Sequence, residues 1–211
     1  MPKVKPQIRD AGATKARILN AATIEFARLG LAGARVDEIA AKAEANKRMI
    51  YHYFGSKEGL FREVLEAAYL DIRNAEQALE LDSLPAARAL EHLVRFTWDY
   101  YLQRPEFIRL VNSANLHLGR HIEGSEKLRD ASRAFTDLVR RLLERGVKEG
   151  AFRAGIDPVQ LNITIAAIGY YYLTNRHTGE ILFEREYMTP EALDARLRFN
   201  IDTVMGIVAA R

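Results

Sequence analysis

Apolar residues recur along this chain at spacings of three and four, the period of a helix with one buried face. Ile18, Leu19, Ala22, Phe26 and Leu29 share one side of a segment over 14–29 that Gly30 closes. Short helices are predicted over 37–43 and 46–54, the second stopped at Gly55. Ser56 is placed to cap a long helix reaching about Leu81, with Leu60, Phe61, Val64, Leu65 and Ala68 as its stripe. Leu90, Leu93, Val94, Trp98 and Tyr101 point inward from a helix over 85–103. Pro105 opens the next, to about Leu118, because a first-turn proline lacks only an N–H that would be unpaired there anyway. A loop over 119–124 precedes an amphipathic helix over 125–149, closed by Gly150. Asp157-Pro158 starts a nearly all-apolar helix to about Arg176. A connector is expected over 177–189, then a last helix over 190–209 carrying Leu193, Leu197, Ile201, Val204, Met205 and Val208. The fold class is therefore all-α with about nine helices; no alternating strand pattern and no Asn-Gly or Asp-Gly hairpin turn is present.

The helix over 158–176 stands apart. Ile163, Ile165, Ile168, Tyr170, Tyr171, Tyr172 and Leu173 cover nearly every side of it. Such a helix is buried all round, either as the central helix of a monomer or by a second copy of the chain. A homodimer through the last two helices is one expectation.

Composition adds exclusions. The 211 residues include no cysteine, which removes disulfides, cysteine-based zinc sites and thiol nucleophiles. The longest weakly charged stretch, 159–175, contains Asn162, Thr164 and Asn175 and is no membrane span. Residues 1–10 have no apolar core, so no secretory signal is expected and a cytoplasmic location is. There is no Gly-rich phosphate loop, no G-x-S-x-G elbow and no H-E-x-x-H. Neither catalysis nor a cofactor is expected.

Charge becomes informative once partitioned. The net +3 consists of +5 over residues 1–55 and −2 over 56–211. A basic head on a near-neutral body suggests a partner for the head.

The head also carries the most specific pattern. Two short helices joined at Glu44-Ala45 have helix-turn-helix spacing, with Val36, Ile39, Ala40 and Ile50 to hold them together. On the second, Ile50 and Phe54 face inward, leaving Lys47, Arg48, Met49, His52 and Tyr53 outward. A short cationic helix with aromatic residues is suited to a DNA major groove. The letters Ile18-Leu19-Asn20-Ala21-Ala22, Phe26, Gly30-Leu31, Val36-Asp37-Glu38-Ile39-Ala40 and the run from Ile50 to Phe61 resemble, in order and spacing, the DNA-binding region of TetR-family transcriptional regulators.

The resemblance covers about the first 65 residues. It implies a homodimeric, ligand-responsive regulator, most often a repressor, released from a pseudo-palindromic double-stranded DNA operator by a small-molecule effector. It implies a DNA-binding domain over 1–55, with a basic arm over 1–13, and a ligand-binding and dimerisation domain over 56–211. Arg48 and Lys47 begin the reading helix, and Arg to guanine is the commonest specific base contact. Tyr51 and Tyr53 stand where the family meets the phosphate backbone, and Lys57 opens the following helix, where ammonium and backbone amides can share a phosphate. His52 either faces the groove or has no role. The arm's Lys3, Lys5 and Arg9 either reach DNA or do nothing.

Three departures from the family pattern bear on the contacts. Ala34-Arg35 replaces a hydroxyl pair, losing a cap that Arg35 offsets only as a longer-range phosphate ligand. Glu44-Ala45-Asn46 replaces Gly-Val-Ser: Asn46 caps as well as serine, but Glu44 stands where a glycine often takes positive φ, at a cost in energy. Met49 occupies a position usually small and polar, which suggests an operator preference of its own.

In the remainder, Trp98, Tyr101, Phe107, Asn112, Asn115, Tyr170 and Thr174 place polar and aromatic groups on apolar faces. They are candidates for an effector pocket or for plain core packing, and the two asparagines, if buried, would need partners for their amides. His117 and His121 are one turn apart, but no third ligand follows and Gly119 ends the helix between them, so no metal site is expected. The rival to a DNA-binding regulator is an all-helical small-molecule-binding or adaptor protein without DNA.

Overall fold

A computed structural model describes residues 11–210. Ten α-helices follow one another: α1 (Ala11–Gly33), α2 (Val36–Lys42), α3 (Lys47–Phe54), α4 (Lys57–Gln77), α5 (Ala86–Gln103), α6 (Pro105–Leu116), α7 (Glu126–Lys148), α8 (Pro158–Thr174), α9 (Arg176–Phe183) and α10 (Pro190–Val208). The additional helix is α9, inside the expected connector. α4 stops four residues earlier than expected, and a single 3-10 turn, Leu81–Ser83, follows it. α1 passes through a kink at Gly30 (φ 66°) for one more turn rather than stopping there. The expected basic arm lies mostly outside the described residues.

The helix starts are made by side chains. Asn46 Oδ1 accepts from the Arg48 N–H at 2.8 Å, and Ser56 Oγ from the Gly59 N–H at 2.9 Å. Asp157 Oδ1 accepts from Val159 and Gln160, and Thr189 Oγ1 from Ala192. Each satisfies an amide that the first helical turn leaves without a partner.

The chain packs as two units. The first takes in the described residues up to Ala68 together with Arg109–Ser125. Its core joins Ile18, Ala22 and Phe26 of α1 to Ile39 and Ala40 of α2, Ile50 and Phe54 of α3, and Leu60, Phe61, Val64 and Leu65 of α4. Phe26 meets Phe61 edge to face at 5.0 Å. The core therefore extends beyond residue 55, because three short helices alone leave Phe26 and Ile50 without enough apolar cover. Leu29, expected inward, is 40% exposed, because the face of α1 that packs runs through Ala22, Glu25 and Phe26.

The second unit is Tyr69–Ile108 with the described residues from Glu126 onward. Leu90, Leu93 and Val94 of α5, Phe135, Val139 and Leu142 of α7, Leu161 and Ile165 of α8 and Val204 and Val208 of α10 form its core. The turn after α7 is stitched to the chain end by a backbone bridge between Phe152 and Ala209, with Arg153 N–H donating to Val208 at 2.9 Å. Among the described residues no helix is long and apolar enough to cross a membrane.

Candidate nucleic-acid interface

Within the first unit, α2 and α3 are fixed from behind by apolar burial. Ile39 and Ile50 are fully buried, and Ala40 and Ala43 keep the two helices close. Their turn contains Glu44 at φ 49°, the left-handed conformation anticipated for the position of the family glycine. The Ala45 N–H reaches back to the Ala40 carbonyl at 3.0 Å. α2 begins at Arg35 with no side-chain cap, as expected from the missing hydroxyl, and Arg35 itself is exposed.

What α3 presents outward is uneven. Asn46, Lys47, Arg48, Tyr51 and His52 are exposed, with Tyr51 at 45%. Met49 and Tyr53, expected outward, are half-buried because their apolar parts pack against the unit's core, the Tyr53 ring meeting Phe54 at 6.2 Å. His52 lies against the Tyr53 ring at 5.3 Å. Lys47 is not a free cation: its ammonium pairs with Asp37 of α2 at 2.8 Å, and that contact holds its pKa above the ordinary lysine value. Lys57 Nζ donates to the Ala34 carbonyl at 3.2 Å, pinning the start of α4 to the turn that carries Arg35. Arg35 and Arg48 are thus the exposed guanidiniums of the α2–α3 face.

The pattern of apolar residues did not single out what braces this face. Glu25 is fully buried on α1 and accepts from Lys42 of α2 at 2.6 Å and from Arg28 at 3.2 Å. The Lys42 hydrogen bond outweighs desolvation and keeps the carboxyl below its ordinary pKa. Arg17 donates to the Ala43 carbonyl at 3.1 Å, closing the C-terminal end of α2. Glu25 sits three residues after Ala22, on the apolar stripe itself, and that position was its signal.

The expected pocket residues separate. Asn112 and Asn115 are exposed in the first unit rather than buried, and the Asn115 amide donates to the Val111 carbonyl of its own helix at 2.9 Å. The others lie in the second unit. Trp98, Tyr101 and Phe107 are buried there. Tyr101 stacks on Phe107 at 6.0 Å, and Tyr170 meets its edge at 6.5 Å. Thr174 directs its hydroxyl to the Tyr170 carbonyl at 2.8 Å. Beside Tyr101 lies a buried charge that the sequence reading passed over. Glu76 of α4 is 2% exposed, and its Oε2 lies 2.7 Å from an Arg73 guanidinium nitrogen. Burial pushes the Glu76 carboxyl up to about 7, against the pull of Arg73.

His117 and His121 face each other at 5.6 Å in the turn after α6, with His121 against Phe61. Among the described residues no group of three or more His, Cys, Asp or Glu is placed to hold a metal. On α8 only Leu161, Ile165 and Gly169 are buried. Val159, Ile163 and Tyr171 of α8, Ile181, Leu182 and Phe183 of α9 and Phe199 and Ile207 of α10 are exposed. Of these, Tyr171, Phe183 and Phe199 line one common surface depression, and exposed apolar residues that cluster mark interaction surfaces.

Comparison with known proteins agrees with this geometry. Residues 18–64 match the family of bacterial regulatory proteins of the TetR type, and residues 87–204 match the tetracyclin repressor-like C-terminal domain. The chain is 40% identical over 176 residues to the HTH-type transcriptional repressor NicS of Pseudomonas putida, covering 83% of each chain. It is 33% identical over 203 residues to the HTH-type transcriptional regulator RutR of Escherichia coli, covering 95% of this chain and 91% of the other. Among solved structures, SCO4942 from Streptomyces coelicolor superposes with a TM-score of 0.67 at 27% identity, over 94% of this chain and 99% of that one. A TetR-family regulatory protein from Rhodococcus RHA1 shares the fold, with a TM-score of 0.72 at 18% identity over 94% and 98% of the two chains. On these matches at both ends, the chain belongs to the TetR family of transcriptional regulators.

Proposed function

We propose that this protein is a homodimeric repressor that places α3 of each subunit in a DNA major groove and leaves its operator when a small molecule binds the second unit. The observation that carries the reading is the α2–α3 face. A capped helix, immobilised by Ile50 and Phe54, exposes Arg48, Tyr51 and His52, with Arg35 beside it. Arg48 is assigned to base edges. Arg35, Tyr51, Tyr53 and the positive end of α4 around Lys57 are assigned to phosphates. Lys47, tied to Asp37, is assigned to register rather than base reading, while Asn46 and Met49 shape the helix start and its apolar edge.

DNA contact thus falls to the domain over 1–55 together with the start of α4 at Lys57, and effector binding and dimerisation to the remainder. The exposed apolar residues of α8 and α10 support a two-fold interface through the last long helices. A two-fold dimer calls for a pseudo-palindromic operator with half-sites about one turn apart or somewhat further. α4 runs unbroken from Lys57 to Gln77, contributing Leu60 and Phe61 to the first unit and Tyr69 and Glu76 to the second. It is the element through which an effector would change the spacing of the reading heads, at a coupling of about 1–3 kcal/mol.

The test is titration of the protein with duplex from its own upstream region and with random duplex at two salt concentrations. Preferential binding whose logarithm falls linearly with log salt supports the reading. Equal affinity for both duplexes overturns it.

A further inference from the structure

The second unit buries an ion pair that its fold does not use well. Arg73 and Glu76 lie one turn apart on α4, with the guanidinium 16% exposed and stacked 4.4 Å from the centre of the Phe135 ring. Although Glu76 Oε2 is 2.7 Å from Arg73, it has no aligned hydrogen-bond donor among the described residues. A buried carboxylate oxygen without an aligned donor costs more in desolvation than its ion pair returns. Neighbouring polar groups are already committed elsewhere: the Tyr100 hydroxyl donates to Asp71 at 2.7 Å, and the Thr97 hydroxyl to the Leu93 carbonyl at 2.9 Å. Around the pair stand flat apolar walls. Tyr69 and Tyr101 both pack on Phe107, at 5.6 and 6.0 Å, and Tyr170 lies against Tyr101. Tyr69, Arg73 and Tyr170, on the outer side of the cluster, are only half-buried.

We propose that Arg73 anchors a binding site for a small aromatic carboxylate, whose ring lies among Tyr69, Tyr101, Phe107 and Phe135. This rests on the effector reading above and gives the effector its chemical class. The choice of an anion follows from the donors. A guanidinium offers five N–H groups and no acceptor, and its fork fits a carboxylate. A cation directed at Glu76 would instead meet the guanidinium already 2.7 Å from the same oxygen.

The fate of Glu76 follows. Burial favours its neutral form, so Arg73 has an incomplete counter-charge. An incoming carboxylate supplies one and drives Glu76 to its neutral form, which then can donate its O–H to the ligand. Facing Glu76 are Arg73 of α4 and Tyr100 and Tyr101 of α5, while Tyr69 of α4, Tyr170 of α8 and the unionisable Phe135 of α7 complete the cluster through Tyr101, Phe107 and Arg73. Burial holds the four tyrosines above their ordinary values. Between about pH 6 and 9, Glu76 is the group in this cluster that changes charge.

Benzoate is the probe, with benzamide and benzylammonium as neutral and cationic isosteres, titrated calorimetrically at millimolar concentration into the full-length, DNA-free protein. Quenching of Trp98, the chain's single tryptophan, gives a second readout. Benzoate is expected to bind and the isosteres not. Its affinity should fall as pH rises above neutrality, approaching about tenfold per unit where one full proton is taken up. Arg73→Met should abolish binding. Arg73→Lys, which keeps the charge and loses the fork, should weaken it about tenfold or more, and covers the case in which Arg73→Met fails to fold. Glu76→Gln should retain binding and lose its pH dependence. Benzylammonium binding in place of benzoate, no benzoate binding by the folded parent protein, or full binding by either Arg73 variant overturns the proposal. The same preparations are assayed on operator DNA. Operator binding without benzoate binding removes the site and leaves the regulator, and the reverse removes the regulator and leaves the site.

Discussion

Substituting Gly146 by alanine sets two opposed effects against each other. Gly146 lies in the last turn of α7, where a methyl group favours the helix by up to about 1 kcal/mol. The same methyl would enter the volume of the Phe152 ring, which is 3% exposed and rests on the helix at this point. Overpacking of a tight core costs about 1–3 kcal/mol, and loss of the whole phenyl contact about 3–5 kcal/mol. The ring cannot slide freely, because its backbone is held on both sides. The Phe152 N–H donates to the Gly146 carbonyl at 3.0 Å, and the bridge to Ala209 ties it to the end of α10. The clash therefore wins, and Gly146→Ala is expected to destabilise by about 1–3 kcal/mol. Urea unfolding at one fixed protein concentration measures this, since any self-association makes stability depend on concentration. The decisive comparison is a double-mutant cycle. In a Phe152→Ala background the obstacle is gone, and the same glycine substitution should become neutral or stabilising by up to about 1 kcal/mol. Destabilisation of equal size in both backgrounds would refute the reasoning.

Other expectations follow from the first unit and the exposed face of the second. Glu44→Gly relieves a left-handed backbone and gives part of the gain back as unfolded-state entropy, so a net stabilisation of about 0.5–1 kcal/mol is expected by thermal melting. Lys42→Met removes the shortest partner of buried Glu25 and leaves Arg28, so urea unfolding should show a loss of about 2 kcal/mol, less than for a fully orphaned charge. Because the folded Glu25 pKa is lowered, its contribution is present above the ordinary value of 4.5 and lost as pH falls through the folded value; Lys42→Met should flatten that acid limb in melts run against pH. Phe199→Glu, on the exposed face of α10, should give a monomer at micromolar concentration by sedimentation and weaken operator binding.

Helix positions and the α2–α3 turn were legible because each rests on local chemistry. Asn46, Ser56, Asp157 and Thr189 cap the amides beside them, and Glu44 takes positive φ where a glycine was expected to be missed. α9 was not legible, since His177-Thr178-Gly179 reads as a breaker. Gly179 instead gives room for the Tyr187 ring, which a side chain there would strike, and that demand comes from eight residues further along. Asn112 and Asn115 misled for a related reason: the face of α6 that packs runs through Leu110 and Ala114, leaving both amides outside. Glu25 stood on the apolar stripe of α1, but the partners that make its burial and that of Arg73 and Glu76 possible, Lys42 of one helix and Phe135 of another, are not paired by periodicity.

The central claim is that the α2–α3 face reads a DNA sequence. Its most direct test is the affinity of the parent protein and Arg48→Ala for upstream duplex and for random duplex at one fixed salt concentration. The parent is expected to prefer the upstream duplex by about a thousandfold or more. Arg48→Ala should lose about 1–3 kcal/mol on that duplex while its affinity for random DNA changes far less. A parent protein that binds both duplexes equally, or an Arg48→Ala variant that keeps the full preference, contradicts the account.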